Sequence, residues 1–194
     1  MTFTDTVEFL ARRAHLPIPQ QDEKFEGYQQ KKLTFYRINE LASSFFHKKF
    51  KSLSVTHPAK AYLKARGLTE EIIDELQIGY APDEWEDLVK ALKSKKAPLE
   101  DGVALGLVKP RKSGKGHFDL FRHRIIYPIY SPQEDVLGFG GRVIRKEDNP
   151  KYLNSPESKV FHKGKTFYGL NLTGKHIRQE NCAIVVEGYM DFIA

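Results

Sequence analysis

Between Gly138 and Lys165 the chain reads GFGGRVIRKEDNPKYLNSPESKVFHKGK, and no other stretch concentrates so many groups suited to holding a polyanion. Gly138, Gly140 and Gly141 remove side-chain bulk where a phosphate, a base or another backbone can approach closely. Arg142 follows directly. Lys151, Tyr152 and Asn154 then bring a cation, an aromatic ring with a hydroxyl, and an amide within four positions, and Lys163 and Lys165 add charge beyond them. A lysine supplies a point charge to phosphate, an arginine a fork, and a tyrosine a face for a base or sugar. The same composition also describes a glycine-bulged hairpin followed by a solvated loop, so spacing alone leaves both readings open. A second candidate lies in AIVVEGYMDFIA, where Glu187 and Gly188 follow an apolar run. An acid at the carboxyl end of a parallel strand sits where α/β folds place their sites, with Asp191 one helical turn further on. The plainer alternative for Glu187 is an acid at the start of a helix.

The elements that must position these groups are legible in part. Residues 4–14 predict a short amphipathic helix capped by Thr4 or Asp5, and residues 16–32, with Pro17 and Pro19 and little apolar patterning, predict a linker. A helix follows from Leu33 to about Lys51 through Leu33, Tyr36, Ile38, Leu41, Phe45 and Phe46, its basic end suiting a helix carboxyl terminus. Two short helices come next, separated by Gly67, the second capped by Thr69. Asp83 and Glu86 predict a capping box for a helix whose apolar face holds Trp85, Leu88, Val89 and Leu92. VKPRKSGKGH reads as a basic hairpin or loop. After His117 the period changes to that of strands. Residues 124–130 and the glycine-interrupted DVLGFGGRVI form a hairpin, and alternation puts Arg122 and Arg124 on one side of its first strand. Residues 146–158 predict an ordered loop, NLTGKHIRQEN is too polar and glycine-broken for a helix, and residues 183–186 predict a buried strand with Cys182 buried beside it.

With 194 residues, 40% hydrophobic and 29% charged, the chain can bury one good core. Its 31 basic against 25 acidic residues leave a formal charge of +6, which favours an anionic partner, nucleic acid before a membrane surface. No apolar run approaches the roughly 20 residues of a membrane span, and the amino-terminal MTFTDTVEFLARRAH does not read as a signal sequence, so the expected location is cytoplasmic. One cysteine, Cys182, excludes an intrachain disulfide and a cysteine-built zinc site.

Taken in order, YLKARGL (62–68), IGYAP (78–82), FRHRIIYPI (121–129), GFGGR (138–142), PKYLNSPES (150–158), FHKGKTFYGL (161–170) and VVEGYMDFIA (185–194) resemble the catalytic core of the bacterial DnaG-type DNA primases. PKYLNSPE followed by FxKG and VEGYMD is the most specific part. The resemblance covers residues 55–194 strongly, and TDTVEFLARRAHLPIP is similar to the segment that follows the family's zinc ribbon. It implies an α+β fold: a small mixed helical and β-hairpin subdomain followed by the first strand of an α/β TOPRIM fold. The implied divisions are 1–32, an amino-terminal helix and linker, 33–181, the core's amino-terminal subdomain, and 182–194, the start of TOPRIM.

The resemblance further implies a fragment of a DNA-dependent RNA polymerase that makes short RNA primers on single-stranded DNA. Glu187 corresponds to the TOPRIM glutamate that helps hold Mg2+ or Mn2+, with the family's aspartates expected beyond Ala194 and Asp191 in support. Arg66, Arg142, Lys151 and Lys163 correspond to basic residues of the template and nucleotide groove, with Tyr152 and Asn154 beside them and Arg122 and Arg124 as possible support. The implied partners are single-stranded template, ribonucleoside triphosphates, the RNA primer, and a replicative helicase through regions not present. Zinc is implied only for an amino-terminal domain outside this chain. Two alternatives stay open: a non-catalytic nucleic-acid-binding module, and the core of a phage or mobile-element primase-helicase.

Overall fold

A computed structural model of the chain describes residues 10–11, 13–14, 23–112, 114–145 and 147–193. Two units are distinguished, Met1–Leu33 and Thr34–Ala194. In the first, residues 10, 11 and 13 are helical and the Ala14 N–H donates to the Leu10 carbonyl at 2.9 Å; the rest of the helix expected over 4–14 lies outside the described residues. The expected linker does not extend to residue 32, because helix α1 spans Glu23–Lys51. Its early turns lack an apolar stripe, yet they are rich in Glu, Gln and Lys, which sustain a helix without one.

Within the second unit, α1 buries Phe35, Ile38, Ala42, Phe46 and Phe50 at helical spacing; Leu33, expected on this face, falls in the first unit and is exposed. Helices α2 (Pro58–Ala65) and α3 (Glu70–Glu75) match expectation, with the Thr69 hydroxyl accepting from the Ile72 N–H. Then come β1 (Gly79–Ala81), α4 (Asp87–Ser94), α5 (Leu99–Ala104), and the hairpin β2 (Val108–Pro110) and β3 (His117–Asp119). Strands β4 (Arg124–Tyr130), β5 (Val136–Val143) and β6 (Tyr152–Asn154) complete a four-stranded antiparallel sheet in the order β1-β4-β5-β6. Part of the loop expected over 146–158 is therefore an edge strand. A 3-10 turn, Lys163–Lys165, precedes α6 (Leu170–Glu180) and α7 (Tyr189–Ile193).

Strand alternation splits the core across the sheet. Ile126 and Phe139 join Phe35, Phe46, Leu88 and Leu92 in one cluster, whereas Ile125 and Tyr127 join Leu63, Ile73 and Met190 in another. At a β-bulge beside Ile129 and Tyr130, the buried Asn39 amide of α1 donates to the carbonyls of Val136 and Leu137, at 3.0 and 2.9 Å. One side chain thus satisfies two main-chain acceptors where the ladder is irregular.

Four expectations are corrected at the level of elements. The Asp83–Glu86 box does not cap α4, which starts at Asp87. The buried Asp119 carboxylate does, accepting from the Leu88 and Val89 N–H groups at 2.8 and 2.9 Å. Residues 170–180 are helical: Gly169, at φ 78, turns the chain into α6, the Thr173 hydroxyl donates back to the Gly169 carbonyl, and Asn181 ends the helix in the left-handed region. The internal Gly174 costs such a helix only about 1 kcal/mol. Residues 183–186 form no strand, because no other described segment lies alongside to complete a ladder. Ile184 and Val185 are 89% and 75% exposed, and Cys182 is exposed with them.

Candidate nucleic-acid interface

Register builds the site. Arg142 on β5 pairs across the ladder with Tyr152 on β6, and Gly140 with Asn154, so Arg142, Tyr152 and Asn154 share one face. The Arg142 guanidinium lies 3.9 Å from the ring centroid of Tyr62, on α2, and 5.9 Å from that of Tyr152. Arg66, the residue that ends α2, stands 5.6 Å from the Tyr62 ring, and the Lys151 ammonium 5.8 Å from the Tyr152 ring. Arg66, Tyr62, Arg142, Tyr152 and Lys151 therefore form a row in which cations alternate with aromatic rings. A ring face attracts a cation without neutralising it. Arg66, Arg142 and Lys151 make no ion pair among the described residues, whereas Lys49, Lys51, Arg111 and Arg145 are paired with Asp87, Asp74, Glu86 and Asp83.

The glycines of GFGGR serve internal packing more than ligand approach. A Cβ on Gly140 would collide with the Tyr189 ring, and one on Gly141 would lie 2.8 Å from the Phe121 ring. Tyr189 stacks on Tyr127 with centroids 5.0 Å apart and planes at 1°, and its hydroxyl donates to Asn154 Oδ1 at 2.8 Å. Burial pushes the Tyr189 hydroxyl up to about 12, so it stays protonated at neutral pH. Ser155, next along the chain, ties the loop to β5: its hydroxyl accepts from the Phe139 N–H and its own N–H donates to the Phe139 carbonyl.

The remaining expected residues are placed apart from this row. Lys163 is exposed in the 3-10 turn, its main-chain N–H held by the Glu157 carboxylate at 2.9 Å, and it touches none of the row. Arg122 and Arg124 do not share a strand face, because His123 lies at φ 49 and interrupts the alternation before β4 begins. Arg124 is only 6% exposed and donates to the Pro150 carbonyl at 2.8 Å, anchoring the loop from beneath. Arg122 lies 4.0 Å over the ring of Trp85. Trp85, expected inside an apolar helix face, is 55% exposed and packs edge-on against Phe118. This second cation–aromatic group escaped the sequence, as did Tyr62 and the contact of Tyr189. The four-residue spacing of Tyr62 and Arg66 in YLKARGL was the available signal for Tyr62.

Glu187 and Asp191 are exposed, and Glu187 has no partner among the described residues. Their carboxylates are hard donors of the kind Mg2+ or Mn2+ takes. No three acids, histidines or cysteines converge among the described residues, so these two provide at most part of a metal site. A zinc site does not fit the described residues either, since zinc takes three or four such ligands and none of them gather in that number. Surface hollows of about 410 and 450 Å3 lie elsewhere, both bordered by Glu40 and Glu134, whose charge does not suit a polyanion.

An antiparallel sheet packed between helices, with unpaired cations held on aromatic faces where α2 meets β5 and β6, makes this an α+β domain whose exposed charge suits an anion. Comparison with known proteins makes this particular: the family described as DNA primase catalytic core, N-terminal domain, matches residues 45–174, and the chain belongs to that family. A DNA primase of Halalkalibacterium halodurans is 38% identical over 193 residues, covering 100% of this chain and 32% of that protein. The chain thus spans about a third of the length of that relative. Among solved structures, a DnaG primase catalytic domain bound to ssDNA superposes with TM-score 0.72 and 34% identity, over 85% of this chain and 52% of that one. The zinc-binding and RNA polymerase domains of the Aquifex aeolicus primase match with TM-score 0.75 and 32% identity, over 100% of this chain and 45% of that one. No helix among the described residues is long and apolar enough to cross a membrane.

Proposed function

We propose that this chain is the template- and nucleotide-holding part of a primase that makes short RNA primers on single-stranded DNA in the cytoplasm. One observation carries the proposal: Arg66, Arg142 and Lys151 are held against tyrosine rings and not against acids, so their charge stays available to phosphate. The ssDNA-bound state of the similar DnaG domain supports the choice of polymer. On this reading residues 33–181 form the core's amino-terminal subdomain, 182–194 open a TOPRIM fold, and residues 1–32 precede the subdomain. Tyr152 offers a stacking face, Asn154 a hydrogen bond and Lys163 a further charge. Arg122 with Trp85 extends the contact along the strand, while Arg124 acts from within the fold.

Glu187 would hold a divalent metal with Asp191 in support. The chemistry such an ion would supply is activation of a 3′-hydroxyl and neutralisation of the charge on the departing pyrophosphate. On the same reading zinc belongs to an amino-terminal domain outside this chain; the solved Aquifex aeolicus primase comprises zinc-binding and RNA polymerase domains.

The test compares Lys151→Ala with Lys49→Ala in the intact protein that carries these residues. Losing a charge-assisted phosphate contact should weaken ribonucleotide use or single-stranded DNA binding by roughly tenfold to a hundredfold. Lys49, already paired with Asp87, should leave both unchanged. Primer yield and oligonucleotide affinity equal to wild type in Lys151→Ala would overturn the reading.

A further inference from the structure

Asn154 lies on the edge strand with its side chain exposed, and its two amide ends are not equivalent in this fold. The Tyr189 hydroxyl is a donor at 2.8 Å from Oδ1, so the carbonyl end is occupied and turned toward α7. The Nδ2 end makes no hydrogen bond among the described residues. Tyr189 has little freedom to reverse this. Its ring is stacked on Tyr127, meets Tyr168 edge-on with centroids 4.8 Å apart, and fills the space left by the missing Cβ of Gly140. Tyr189 also sits two residues after Glu187, at the first turn of α7. The hydroxyl therefore joins the acid-bearing segment to the edge of the sheet.

We infer that Tyr189 is a positioning residue that locks the Asn154 amide with its NH2 group outward, so that Asn154 recognises an acceptor oxygen of the nucleic acid or nucleotide. The inference rests on the proposed site. It adds the polarity of the contact, the residue that sets it, and a mechanical link between the acid of VVEGYMD and the loop PKYLNSPES. The chemistry wanted is an oxygen acceptor, a phosphate oxygen or a base carbonyl. That acceptor belongs either to the single-stranded DNA or to the ribonucleoside triphosphate.

The polarity is what the experiment reads. Asn154→Asp keeps an oxygen for the Tyr189 hydroxyl but replaces the outward donor with an acceptor carrying negative charge, so ligand affinity should fall by at least about tenfold. Tyr189→Phe keeps the ring stack and removes only the lock, and should weaken affinity by about threefold to tenfold. Tyr189→Phe should add little to the loss already caused by Asn154→Ala, because the hydroxyl acts through the amide. Binding is measured in the intact protein with a labelled oligodeoxythymidylate and, separately, with ATP. The arm that responds assigns the acceptor to template or to nucleotide, and melting temperatures show that the variants are folded.

Asn154→Asp binding both probes within twofold of wild type would overturn the inferred polarity. Tyr189→Phe and Asn154→Ala losses that simply multiply would overturn the positioning role. If Asn154→Ala and Lys151→Ala both bind like wild type, it is the proposed site itself that fails, an outcome distinct from either.

Discussion

Asp119 sits at the carboxyl end of β3 and is nearly sealed from solvent, yet it caps a helix thirty residues earlier in the chain. Burial pushes its carboxyl up to about 6, outweighing the two N–H groups of α4 that pull it down; Asp87 nearby adds to the rise and Arg122 opposes it. The folded state thus holds this proton more tightly than the unfolded chain. Its contribution to stability is full below about pH 4 and is lost as pH rises through about 6, by about 2–3 kcal/mol. Asp119→Asn abolishes the titration while leaving one acceptor. Wild type should therefore lose stability relative to this variant between about pH 4 and pH 6, and the two should change in parallel above that window. Urea unfolding across the pH series measures this, and a constant difference would mean that folding does not raise the pKa of this carboxyl. Because the Asp119 main chain also bonds the Trp85 carbonyl and the Arg122 guanidinium, the same residue fixes the second cation–aromatic group.

Among the elements, β5 and α7 pack closely at the site, through Gly140 and Tyr189. Gly140→Ala puts a methyl group into the Tyr189 ring, which cannot yield because Tyr127 lies behind it. Overpacking of this kind costs about 1–3 kcal/mol. Gly27→Ala is the counterpart: it lies in the exposed part of α1 with nothing within 4 Å of the added Cβ, so it should stabilise by about 0.5–1 kcal/mol. Thermal unfolding of the two variants should shift in opposite directions. Two equal shifts would show that the space at Gly140 is not what selects glycine there.

At the scale of the molecule, a formal charge of +6 does not say where an anion binds, because cations such as Lys49, Lys51, Arg111 and Arg145 are neutralised locally. Lys51, for instance, is shared between Glu70 and Asp74. Single-stranded DNA affinity should fall with salt, and its logarithmic slope should shrink by about 0.7 for each phosphate contact removed. Arg142→Ala is expected to reduce the slope by that amount and Lys51→Ala to leave it unchanged. Titrations at several sodium chloride concentrations test this, and an Arg142→Ala variant that binds more weakly at an unaltered slope would assign the residue to packing against Tyr62.

The helices at 58–65 and 70–75, the hairpin of β4 and β5, the α+β class and the family were all readable along the chain, because each rests on local periodicity, turn chemistry or ordered motifs. What the sequence could not decide was who meets whom across long separations. PKYLNSPES already announced Lys151, Tyr152 and Asn154, but the ring that holds Arg142 comes from α2 and the hydroxyl that holds Asn154 comes from α7. Alternation placed Arg122 and Arg124 together, and a single positive φ at His123 separated them, sending one into the core and the other onto Trp85. A capping box was legible at Asp83 and Glu86, while the carboxylate that caps the helix arrived from β3. Residues 183–186 have the composition of a strand but no ladder partner among the described residues. Composition states what a segment can do, and only tertiary contacts supply the second half of a hydrogen bond, an ion pair or a sheet.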